Sequence, residues 1–184
     1  MLTIEWLSHM EPLDRKTWTG DQNQRGLNEL GLRQAERICE ELGNASFDAL
    51  YSSPARRSIQ TIEPMAQRFG LQITKLPGLG DTNSLQLPET WRSPSPELAQ
   101  AYAGAYYTGR ALSELDAIRA EHLSGRIGVC THGDVMVAVA IYLAGLYGLD
   151  IPPPTPTRGA RYTLRFEGDK VEVEHHNVPA GFPL

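Results

Sequence analysis

The stretch Tyr51-Ser52-Ser53-Pro54-Ala55-Arg56-Arg57-Ser58-Ile59-Gln60-Thr61 joins two different patterns. On its N-terminal side, Phe47 to Tyr51 reads as a short apolar strand. Ser52-Ser53-Pro54 stops it, because proline has no N–H to give a sheet. On its C-terminal side, Ile59, Ile62, Ala66 and Phe69 share one helical face that Gly70 closes. Pro64 lies inside this stripe and is expected to kink the helix. Hydroxyls and arginines at a strand end that leads into a helix suit an anion such as phosphate, which the helix N-terminus and a guanidinium both attract.

The same strand-to-helix alternation recurs on both sides. Upstream, Leu2 to Leu7 is a short apolar strand. Ser8 to Gly26 has no periodicity and reads as a long loop, of the kind that is usually functional in a compact domain. Leu32, Ala35, Ile38, Cys39 and Leu42 then mark a helix, with Asn28 as its N-cap and Gly43 at its end. Downstream, Leu71 to Leu76 alternates as a third strand, and Pro77 to Pro96 breaks the pattern. Glu97 to Tyr107 and Ala111 to Leu123 read as two helices. Ile127 to Cys130 has the pattern of a buried strand and ends at Thr131-His132-Gly133. Asp134 can cap the apolar core helix expected over Val135–Leu146. Tyr162–Phe166 and Val171–Glu174 alternate around Gly168-Asp169 as a hairpin. The expected fold is α/β, a three-layer sandwich with a mainly parallel sheet and helices on both faces. A single domain over 1–184 is expected, with a loop or flap insertion around 77–108.

Composition narrows the class. The 184 residues carry 17 basic and 22 acidic side chains, a net charge of −5, which lacks the basic excess of a nucleic-acid binder. With 41% hydrophobic and 21% charged residues the chain is an ordinary globular one. The longest apolar run, Val135–Leu146, is well short of the roughly 20 residues that span a bilayer. Met1 leads at once into a strand-like run, so no export signal is expected and the expected location is the cytoplasm. Cys39 and Cys130 lie in apolar surroundings and read as reduced, buried thiols.

Four strand ends carry chemistry-bearing groups: His9, Arg57, His132 and, in Leu79-Gly80-Asp81, a carboxyl group. In open α/β folds these ends line the ligand crevice. Imidazole, guanidinium and carboxyl together supply a nucleophile, an anion anchor and an acid for attack on phosphorus. His175 and His176 alternate on a strand and so form no metal pair. His122 is expected on a helix surface, and Tyr102, Tyr106 and Tyr107 as packing. Without a Cys-x-x-Cys or His-Glu-x-x-His pattern, neither a metal nor a cofactor is expected.

Leu7-Ser8-His9-Met10-Glu11, Leu27-x-Glu29-x-Gly31-x-x-Gln34-Ala35, Tyr51-Ser52-Ser53-Pro54-x-x-Arg57-x-x-Gln60-Thr61 and Thr131-His132-Gly133 occur in the order and spacing of the histidine phosphatase superfamily. The chain resembles that phosphoglycerate mutase-like group over nearly its whole length. The resemblance implies that His9 is the nucleophile that becomes phosphorylated. It implies that Arg57 binds phosphate and that His132 contacts the transferring phosphoryl oxygens. Asp81 lies where the family usually has the acid that protonates the leaving oxygen, with Glu89 close by as the other candidate. The family's Arg-His-Gly signature is Ser8-His9-Met10 here. Ser8 offers the phosphate one neutral hydroxyl in place of a permanent cation, and Met10 adds bulk where glycine allows close approach. Arg15, Lys16, Arg25 and Arg56 are the loop and helix residues available to restore charge. The implied activity is phosphatase action on a small soluble phosphate ester through phosphohistidine. The alternative is a weakened or repurposed member that binds an anionic ligand or runs a different reaction with His9 or His132.

Overall fold

The computed structural model describes residues 1–81, 95–151 and 157–183. Its strands are β1 (Leu2–Ser8), β2 (Ala49–Ser52), β3 (Ile73–Lys75), β4 (Gly125–Thr131), β5 (Arg161–Glu167) and β6 (Lys170–His176). Its helices are α1 (Glu29–Leu42), α2 (Arg56–Phe69), α3 (Pro96–Glu121) and α4 (Gly133–Tyr147). The strands form one sheet in the order β3-β2-β4-β1-β5-β6. β1 to β4 run parallel; β5 pairs antiparallel with β1, and β6 antiparallel with β5. This is the expected three-layer α/β sandwich.

Two cores hold the layers together. On one face α1 and α2 cover the sheet through Ala35, Ile38, Leu42, Ile62 and Met65, which meet Leu7, Leu50 and Cys130. On the other, α3 and α4 pack Ala111, Leu115, Ile118, Val139 and Leu143 against Ile4, Trp6, Val129 and Tyr162. Strands buried on both faces read as near-continuous apolar runs, which is why β1 and β4 stood out in the sequence. Cys39 and Cys130 are free, buried thiols, Cys39 on the α1 stripe that meets the sheet. Burial pushes the Cys130 thiol up to about 12.

Several expectations need correction. The two helices expected over 97–123 are one helix, Pro96–Glu121. Thr108-Gly109-Arg110 contains no proline, and one glycine costs only about 1 kcal/mol in a helix. The buried stripe Tyr107, Ala111, Leu115 and Ile118 runs on past that glycine. His122 is not on a solvated helix surface: it ends α3, and its Nε2 lies 2.8 Å from the Tyr51 hydroxyl, which also donates to Glu121. The apolar run in α4 is only half core. Val135, Met136, Val139, Ala140 and Leu143 are buried, while Ile141, Tyr142 and Leu146 are exposed. The α4 N-cap is His132; Asp134 sits in the first turn, where its carboxylate accepts from the Val135 N–H. Helix α2 continues through Pro64. Glu89 and most of the loop expected over 77–96 lie outside the described residues. No helix among the described residues is long and apolar enough to cross a membrane.

Candidate active site

The C-terminal ends of β1, β2 and β4 reach one edge of the sheet, and Asp81 follows β3 after a short 3-10 turn, Pro77–Leu79. At this edge lies a pocket of about 360 Å³ lined by His9, Glu11, Asp14, Arg15, Arg25, Arg57, Asp81 and Arg158, among others. Four arginines against three carboxylates make it locally positive in a chain of net charge −5.

His9 is 6% exposed and is reached directly from β1: its backbone N–H donates to the Thr131 carbonyl, tying it to the end of β4. Its Nδ1 lies 2.7 Å from the Met10 carbonyl oxygen. A carbonyl only accepts, so we assign the proton to Nδ1, which leaves the lone pair on Nε2. Burial, then the Arg158 and His132 charges, lowers the His9 pKa well below its ordinary value. The imidazole is therefore held in its neutral form, with the Nε2 lone pair unprotonated.

His132 stands behind His9, their ring centroids 5.2 Å apart in an edge-to-face arrangement. Its Nε2 lies 2.8 Å from Ser53 Oγ. That hydroxyl already accepts from the Ala55 N–H, so its own proton is available to Nε2. We assign His132 the Nδ1–H tautomer, with Nδ1 3.9 Å from Asp81. Burial lowers its pKa, partly offset by Asp81. Arg57 is buried, donating from Nη1 to the Gln22 carbonyl and from Nη2 to Asp81, each at 2.7 Å.

The motifs now have physical reasons. Thr61 Oγ1 accepts from the Met10 N–H, and Gln60 accepts from the Leu27 N–H, so α2 holds both ends of the loop after His9. Asn28 caps α1, Gln34 accepts from the Glu11 N–H, and Gly31 leaves room for the Glu11 carbonyl, which any Cβ would strike.

The two departures beside His9 have clear positions. The Met10 side chain is fully buried in the α1/α2 core and does not fill the pocket. Ser8 is also fully buried; among the described residues its hydroxyl has no hydrogen-bond partner, and it does not line the pocket. Of the arginines considered for restoring charge, Arg15 and Arg25 line the pocket. Arg25 donates to the Leu13 carbonyl and the Gln22 side chain. Burial, then the Arg57 and Arg15 charges, lowers its pKa, the mark of crowded cations. Arg158 was not anticipated. It follows a proline-rich stretch with no motif, and only the antiparallel course of β5, which starts at this edge, brings it to the site.

Comparison with known proteins gives the lineage. The model of the histidine phosphatase superfamily (branch 1) matches residues 9–179. The chain belongs to this superfamily. A metal-independent phosphoserine phosphatase of Arabidopsis thaliana is 27% identical over 138 residues, 64% of this chain and 58% of that protein's length. In fold the chain is similar to YhfR of Bacillus stearothermophilus, with a TM-score of 0.68 at 16% identity, covering 95% of this chain and 96% of that one. It is also similar to a phosphoglycerate mutase of Bacillus anthracis, with a TM-score of 0.64 at 15% identity, covering 95% and 92%. As a histidine phosphatase superfamily member, the chain has His9 and the α2 arginine Arg57 in the pocket lining, with His132 buried against His9 outside that lining, and departs at Ser8 and Met10.

Proposed function

We propose that the protein is a phosphatase acting on a small phosphate ester through a phosphohistidine at His9. The observation that carries this reading is His9 lining an arginine-rich pocket, with its Nδ1 2.7 Å from the Met10 carbonyl oxygen so that Nε2 is left to act. His9 Nε2 attacks phosphorus as the bond to the ester oxygen breaks, and the departing alcohol takes a proton from Asp81 or Glu89 in its carboxylic-acid form, which Asp81 can adopt once the phosphate has displaced it from Arg57. Water then attacks the phosphohistidine and gives its proton to the carboxylate left behind, releasing phosphate and regenerating His9 and the acid. Arg57 binds the phosphoryl oxygens, and His132 contacts them as charge develops. Asp81 pairs with Arg57, so an arriving phosphate competes with this carboxylate for the guanidinium. The relative's action on phosphoserine agrees with a small soluble ester as the substrate class. The cationic help comes from side chains, so turnover is expected to survive chelation.

A second reading, a member that binds an anion without turnover, is favoured by the sealed, neutral Ser8 beside His9. Steady-state hydrolysis of 4-nitrophenyl phosphate by the parent and by His9→Ala, with and without EDTA, separates the two. The phosphatase reading expects activity that EDTA leaves intact and His9→Ala abolishes. Equal rates in parent and variant, or loss in EDTA restored by a divalent metal, overturn it.

A further inference from the structure

A phosphoryl group entering a half-buried pocket loses water from two negative charges and needs cations held close to recover that cost. The residue before His9 supplies none, because Ser8 is neutral, sealed and outside the pocket lining. One guanidinium does stand at His9. Arg158 lines the pocket, and its Nη1 donates to the His9 carbonyl oxygen at 2.9 Å. Its Nε lies 3.3 Å from a Glu11 carboxylate oxygen. A guanidinium has five N–H donors. Among the described residues two of those of Arg158 are engaged, and the Glu11 partner is 41% exposed and free to be displaced.

We propose that Arg158, which stands just before β5, is a phosphate-binding residue that takes the place of the cation absent at position 8. The assignment rests on reading this pocket as a phosphoryl site. The geometry gives it a topological basis: β5 is antiparallel to β1, with Leu7 paired to Arg161, so the residues just before β5 stand beside those just after β1. A charge lost on one side of the nucleophile is thereby supplied from a segment about 150 residues away in sequence. Electrostatics agree with this proximity. After burial, the Arg158 charge is the next cause of the lowered His9 pKa, and it also acts on His132 and Arg57.

A purely structural role, pinning the His9 carbonyl, makes a different prediction, and the test separates the two. Inorganic phosphate binding by titration calorimetry and 4-nitrophenyl phosphate hydrolysis are measured on the parent, R158M, R158K, S8R/R158M and S8R/R158K, with melting curves for each. One charge-assisted contact corresponds to about a 10- to 150-fold change. R158M is expected to weaken phosphate binding and kcat/KM by that factor. R158K is expected to lose less, since a lysine keeps the charge but not the fork. S8R is expected to restore affinity in the R158M background, because it returns a guanidinium to the phosphate without remaking the bond to the His9 carbonyl. Where R158M does not fold, R158K and S8R/R158K carry the same comparison. Parent-like phosphate affinity in the folded Arg158 variant overturns the assignment. So does a loss in R158K as large as in R158M, because the lysine keeps the charge, and this identifies a structural pin. If His9→Ala loses turnover while the Arg158 variant keeps its phosphate affinity, the arginine assignment alone fails. If parent and His9→Ala turn over equally while that variant loses phosphate, the phosphatase reading fails and the arginine assignment stands.

Discussion

His9 and His132 differ from surface imidazoles in one respect that has measurable consequences: each is buried with its tautomer set by a fixed partner, a carbonyl for His9 and a serine hydroxyl for His132. Burial lowers both pKa values from the ordinary 6.5, that of His132 to about 3. In the unfolded chain both imidazoles take up protons near pH 6.5, while in the folded protein uptake waits for lower pH. Between these limits the unfolded state holds more protons, so stability rises with pH there. The contribution is complete above about pH 6.5 and is lost as pH falls toward the folded values. Melting temperature is expected to drop steadily on acidification from pH 6.5. The His9 limb of a kcat/KM profile is expected well below pH 6.5; a midpoint at 6.5 contradicts the buried, neutral His9.

Gly31 shows how a motif residue far from the chemistry shapes the site. Helix α1 approaches the loop after His9 so closely that a Cβ at position 31 strikes the Glu11 carbonyl oxygen, while the Asn28 N–H donates to that same oxygen and Gln34 binds the Glu11 N–H. Backbone cannot yield as a flexible side chain can. Gly31→Ala is therefore expected to destabilise by about 1–3 kcal/mol, read from the urea midpoint, despite alanine's better helix propensity. An unchanged midpoint contradicts the close approach. Helix α3 teaches the reverse lesson. The break expected at Thr108-Gly109-Arg110 does not occur: no described residue lies within 4 Å of the place a Cβ at Gly109 would take, and the helix runs on.

Glu5 ties β1, β4 and β5 together across the sheet. Its carboxylate is buried and receives Arg126 at 2.8 Å and Thr163 at 2.9 Å, with Arg161 3.6 Å away. Glu5→Ala leaves two guanidinium groups without their carboxylate. The expected loss is about 3 kcal/mol, the low end for a broken buried pair, because Arg126 keeps the Leu42 and Ala45 carbonyls as acceptors. Chemical denaturation measures it, and a change below experimental error contradicts the network. Within the apolar run Leu2–Leu7 this glutamate carried no signal, since its partners lie more than a hundred residues away. Local patterns determined a good deal by themselves. Apolar runs and helical stripes yielded the α/β sandwich, and strand-end placement yielded His9, Arg57, His132 and Asp81 as neighbours. Both follow from short-range periodicity and from the rule that parallel strands end at one edge. Only the tertiary structure decided that Ser8 is sealed, that Met10 turns into the core, and that Arg158 stands at His9. Those facts depend on the direction of β5 and on which side chain fills which gap, and neither is encoded in the spacing of nearby residues.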